Sequence, residues 1–199
     1  MIQITGVEMA SAVFTENKEF ADSGTIIEVT GNNDGPELDR IESVWGLRNE
    51  PYCAMGAYWA FAKTYAVKNG ISFTDDNAPV VFAALRNRIA AEWLHFDPLV
   101  ANMKRLNQVS GNWREYQQES DVHRMVHGDY VLFSFPTGHH IGQFDKFDGE
   151  NMWLVEWNST AAHAVGGNSN DPGNGGGCYY KSRPLNSFIW GWIPWTYGK

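Results

Sequence analysis

The chain reads as an α+β protein, with helices in the N-terminal half and an antiparallel sheet in the C-terminal third. Three observations predict this. Residues 50–70, EPYCAMGAYWAFAKTYAVKNG, stay small and apolar for several helical turns before Gly70, a natural helix stop. From residue 129 onward the chain changes to short runs rich in aromatic and β-branched residues, separated by Gly, Asp and Pro turns. The order, helices and then strands, fits one layered domain over residues 1–199.

Taken in order, the first 30 residues are weakly patterned, apart from a short apolar run from Ile26 to Val29 and a Gly/Asn/Asp/Pro turn after it. Pro36 suits the first turn of a short helix in PELDRIESVWG, where Ile41, Val44 and Trp45 recur at helical spacing and Gly46 ends it. The helix over 50–70 carries Ala54, Gly56, Ala57 and Ala60, small residues that admit close neighbours. Residues 78–107 read as helical again, with Arg, Lys and Glu on a solvated face, and 108–127 is polar and unassigned. Five strands follow: DYVLFSF, HHIGQFDKF, NMWLVEWN, GCYYKSR and FIWGWIPW. DGEN between the second and third is a hairpin signal, and NSNDPGNGGG is a loop.

Composition narrows the function. The hydrophobic fraction is 43% and the charged fraction 19%, an ordinary globular balance. A net charge of -8 argues against nucleic acid as a partner, because phosphate binding needs a basic surface. No run approaches the ~18 apolar residues of a membrane span. The N-terminus has no basic segment followed by an apolar one, so no secretory signal is visible. Cys53 and Cys178 are too few for a disulfide framework, and free thiols are the simpler reading beside the alternative of one disulfide. The nine Trp read first as core, with a sugar or peptide groove as the alternative.

The candidate chemistry starts at Cys53, just inside a helix start. A helix N-terminus carries partial positive charge and unpaired N–H groups, which favour a thiolate and can stabilise an oxyanion. In GDYVLFSFPTGHHIGQF, His139 and His140 are adjacent on a strand, so only one can face a given site. His140 shares a face with Gly142, whose missing side chain leaves room for a helix or substrate. In LVEWNST, Glu156 and Asn158 are two apart, so a regular strand puts both on one face, where a carboxylate or amide can orient an imidazole. Cys, His and a third polar group form the logic of acyl-transfer catalysis. Cys178, His95, His123, His127, His139 and His163 read as structural or surface residues, Trp157 as core, and Trp190, Trp192 and Trp195 as closing the sheet.

EPYCAMGAYWAF, GDYVLFSFPTGHHIGQFDKF, LVEWNST and GGGCYYKSRPLNSFIWGWIPW resemble, in that order, the CHAP domains of the NlpC/P60 superfamily, and GNNDGPELDRIESVWGLRN resembles their lead-in. The resemblance covers about residues 22–195 and leaves 72–124 unmatched as a helical insertion. It implies a papain-like fold, with the cysteine helix packed on the sheet, and a peptidoglycan amidohydrolase. It assigns Cys53 as nucleophile, His140 as base, Glu156 as third member and Asn158 as a fourth polar residue. Peptidoglycan is then the substrate, reached after release or delivery as a phage lysin, a virion component or an antibacterial effector, the last with an immunity or inhibitor protein. The alternatives are a papain-like amidase or transferase acting on a non-wall amide, and an inactive binding module. No cofactor is expected. Some family members bind calcium ahead of the catalytic helix, and Asn32, Asn33, Asp34, Glu37 and Asp39 offer oxygens there, but they form no dense carboxylate ladder and a capping loop explains them equally. The His and Cys spacing does not suit zinc.

Overall fold

Thr5 and Glu8 start the first helix, α1 (Gly6–Ser23), with reciprocal caps. The Thr5 hydroxyl accepts from the Glu8 N–H, and the Glu8 carboxylate accepts from the Thr5 N–H. The computed structural model, which describes residues 5–92, 95–159 and 176–195, thus corrects the expectation of a weakly patterned N-terminus. Met9, Ala10, Val13, Phe14 and Asn17 recur at helical spacing and bury one face of α1 against the core.

Helix α2 (Pro36–Ser43) begins at Pro36 as expected. Helix α3 (Cys53–Lys68) is buried on nearly all sides, from Cys53 through Ala66. It ends where Gly70 takes a φ of 70°, while Gly70 N–H bonds Val67 and Ile71 N–H bonds Ala66. The expected helical stretch over 78–107 is two helices, α4 (Ala78–Glu92) and α5 (Val100–Val109). Pro98 and the Asp97 carboxylate, which accepts from Leu99 N–H, mark the start of the second. Phe82 and Phe96 of this stretch pack on α3, meeting Tyr58 at 4.6 and 5.0 Å, and Phe73 just ahead of it meets Trp59 at 5.0 Å. Nor is the unmatched insertion over 72–124 wholly helical. Strand β1 (Arg114–Glu115) joins the sheet, and Glu119–Arg124 forms a 3-10 turn.

The five expected strands are present as β2 (Tyr130–Phe135), β3 (Gly138–Phe147), β4 (Asn151–Ser159), β5 (Gly177–Pro184) and β6 (Ile189–Ile193). Among the described residues, helices pack on a six-stranded sheet of order β1-β6-β2-β3-β4-β5, antiparallel at every strand pairing, so the fold class is α+β. The hairpin at residues 148–151 closes through Asp148, whose carboxylate accepts from the N–H groups of Glu150 and Asn151 and from the Trp153 indole. One core lies between the helices and the sheet, around Tyr130, Leu132, Ile141, Val155, Trp157 and Ile193. A second lies on the other face, where Val122 and Met125 cover Val131, Phe133, Leu154 and Trp192. Among the described residues no helix is long and apolar enough to cross a membrane. His163 and most of the NSNDPGNGGG loop lie outside the described residues.

Gly56 sets how closely α3 approaches the sheet. A Cβ there would lie 2.2 Å from the Trp157 ring. The Trp157 indole donates to Asn17 on α1 at 2.7 Å, so the ring is held from both sides. Gly56→Ala is expected to destabilise the protein by about 2–3 kcal/mol in urea unfolding, despite alanine's better helix propensity, because the overlap exceeds the propensity gain.

Candidate active site

The fold brings three of the expected residues together from three elements. Cys53 is the first residue of α3, His140 lies near the start of β3, and Glu156 lies on β4. In the ladder Gly142 sits opposite Glu156, two residues along from His140. The Glu156 side chain therefore crosses over Gly142 to reach the imidazole. A Cβ at position 142 would stand 3.0 Å from Glu156 Cγ and 3.2 Å from Leu154 Cδ2. The room left by Gly142 is thus taken by β4 side chains and not by a helix or substrate.

His140 Nε2 bonds Glu156 Oε2 at 3.1 Å. That leaves Nδ1 as the ring nitrogen for the Cys53 thiol, whose influence on the ring raises the imidazole. All three are buried, at 3%, 9% and 0% exposure for Cys53, His140 and Glu156. His139 points the other way, exposed and stacked on Trp190 at 4.6 Å, as strand alternation requires.

Glu156 holds more than the histidine. Its Oε2 also accepts from the Ser159 hydroxyl at 2.9 Å and from Arg183 Nη2 at 2.7 Å, while Arg183 Nε donates to Oε1. The buried Lys181 ammonium donates to Ser159 Oγ at 3.1 Å. Arg183 and Lys181 stand two apart on β5, next to β4.

These contacts set the charges. Burial alone would push His140 down, but the hydrogen bonds and charges of Cys53 and Glu156 outweigh it and the imidazole is pushed up to about 9. Burial would likewise push Glu156 up. The positive charges of His140 and Arg183, with their hydrogen bonds, prevail and hold the carboxyl well below its usual range. A histidine raised in this way contributes stability that is complete below its unfolded value near 6.5 and is lost as pH rises through about 9. Removing one acceptor should lower that upper edge. In Cys53→Ala the His140 titration midpoint, followed by imidazole C–H resonances, is expected to fall from about 9 toward 6.5. An unmoved midpoint would place the thiol's influence elsewhere.

Asn158 departs from the regular strand assumed for it. It has a φ of 53° and is half-buried, and the β4–β5 register shifts between Glu156 and Ser159. The bulge breaks the two-residue alternation and turns the Ser159 hydroxyl onto Glu156. The lead-in to α3 is held by two buried acids absent from the sequence reading. Glu42 on α2 accepts from the N–H groups of Asn49 and Glu50 at 2.6 and 3.1 Å, and burial raises its carboxyl. Glu28 hydrogen-bonds the buried Tyr52, the residue before the nucleophile candidate. Position signals one of these in the sequence, since Glu42 lies on the buried face of α2 beside Leu38 and Ile41. Lys181 and Arg183 carried a comparable signal, two cations on one face of a strand.

The oxygen-bearing residues of the preceding loop serve the loop itself. Asp34 accepts from Thr30 N–H, Asn32 bonds the Thr30 hydroxyl, and Glu37 pairs with Arg40. Among the described residues no group of three or more His, Cys, Asp or Glu is placed to hold a metal ion. Cys178 is packed in the core, its thiol pushed up by burial. No protein-family model, no curated protein and no solved structure matches this chain.

Proposed function

We propose that the protein is a cysteine amidohydrolase that cleaves amide bonds of bacterial peptidoglycan. The observation that carries the chemistry is the buried His140–Glu156 hydrogen bond, with the Cys53 thiol acting on the same imidazole. His140 takes the thiol proton, and sulfur attacks the amide carbonyl. N–H groups in the first turn of α3, which have no intrahelical acceptor, stabilise the oxyanion. The tetrahedral intermediate collapses, the C–N bond breaks, and the imidazolium gives its proton to the leaving amine. Water, deprotonated by His140, then hydrolyses the thioester and returns the thiol. Glu156 keeps Nε2 as the donor side of the ring, so Nδ1 handles the proton traffic.

The choice of peptidoglycan rests on the sequence resemblance to CHAP domains, as does a setting as a phage lysin or delivered antibacterial effector. Mass spectrometry of fragments released from purified peptidoglycan, run beside a panel of simple peptide and carboxamide substrates, tests both parts. New termini from the wall polymer that vanish in Cys53→Ala support the proposal. Turnover confined to the soluble amides would keep the mechanism and remove the wall as substrate.

A further inference from the structure

Resting on that catalytic reading, we propose that Arg183 is a positioning residue of the site: its two-pronged hold on Glu156 fixes the carboxylate against His140 and balances the charge that forms when the thiol ionises. Arg183 donates through Nε to one carboxylate oxygen and through Nη2 to the other, a fork that restrains rotation of the carboxylate. The guanidinium is itself held, lying over the Phe133 and Phe135 rings at 5.2 and 5.6 Å. Phe133 also faces the His140 ring at 6.2 Å, so one aromatic side chain backs both partners of Glu156. Ser159, bridged to Lys181, adds a third donor to the carboxylate oxygen that meets His140.

The charges explain why a cation belongs here. With the thiol ionised and the imidazole protonated, Cys53, His140, Glu156 and Arg183 sum to zero. Without Arg183 the remaining three groups in the same state carry a net charge of one negative away from water. Lys181 is linked to the carboxylate through Ser159, one hydrogen bond further out. Loss of Arg183 therefore opposes thiol ionisation and releases the carboxylate that orients His140.

The test is the pH dependence of iodoacetamide alkylation at Cys53, followed by peptide mass spectrometry in the wild type, Arg183→Met and Arg183→Lys. The acidic limb is expected to move to higher pH by about one unit in Arg183→Met, the effect of removing a unit charge that acts on the sulfur through Glu156 and His140 in a poorly screened site. Arg183→Lys, which keeps a charge but cannot fork, should move in the same direction by about half as much. A purely structural ion pair would lower the melting temperature and leave the limb in place. Superposition of either folded variant on the wild type overturns the proposal, and Arg183→Lys carries the test if Arg183→Met does not fold. Failure of the catalytic reading looks different: wild-type Cys53 would then react no faster than Cys178 at neutral pH.

Discussion

Under the proposed mechanism, Cys53→Ala and His140→Ala are each expected to lower the rate of amide hydrolysis by about four to six orders of magnitude, with little change in the far-ultraviolet circular dichroism. The size follows from their dependence on one another. Sulfur without the imidazole has no base to take its proton and no acid to protonate the leaving amine, and the imidazole without sulfur has nothing to activate. The double variant should therefore be scarcely slower than either single one, since the two act as a unit. Wild-type turnover in the alanine variant, measured on any substrate the protein cleaves, would remove Cys53 as nucleophile.

Glu156→Ala is expected to cost about 3–5 kcal/mol of folding stability, the range for breaking a buried ion pair from one side. The carboxylate is fully buried and faces the fork of Arg183, the His140 ring and the Ser159 hydroxyl. Removing it strands these donors and leaves a guanidinium without its anion. A second change should recover much of the loss: Glu156→Leu combined with Arg183→Met replaces the charged pair by apolar volume, and such swaps are often near neutral. A double-mutant cycle in urea measures the coupling, and additive losses would contradict it. The pH dependence has a definite sign. Glu156 is held below its ordinary value of 4.5, so its contribution is present above that value and is lost as pH falls through the lower folded value. Acid unfolding of the wild type should lose this contribution, whereas Glu156→Leu/Arg183→Met should lack that part of the acid sensitivity.

Much of this architecture was readable because local chemistry agrees with the global fold. The apolar run over 50–70, the stop at Gly70, the hairpin at 148–151 and the five strand runs each carry their own signal, and the structure uses them in that order. Helix α1 went unread although the Thr5–Glu8 capping box and the spacing of Met9, Val13 and Asn17 mark it, because an isolated box gives little indication of how far a helix extends. Strand β1 could not be read. Arg114 and Glu115 are exposed and polar, and they become a strand because the Gly191 backbone on β6 lets Arg114 and Trp113 approach.

The same division holds at the site. By itself the sequence determined which residues could carry acyl-transfer chemistry, since Cys53 sits at a helix start and His140 and Glu156 lie on successive strands, and these are properties of residue type and local spacing. Only the tertiary structure decided how they are joined. Antiparallel register sets Glu156 opposite Gly142 and so within reach of His140. A bulge at Asn158 brings Ser159 in, and the neighbouring strand supplies Arg183 and Lys181. Hydrogen bonds and charges act through space over a few ångströms, so partners 16 and 27 residues apart along the chain become neighbours only once the strands have paired.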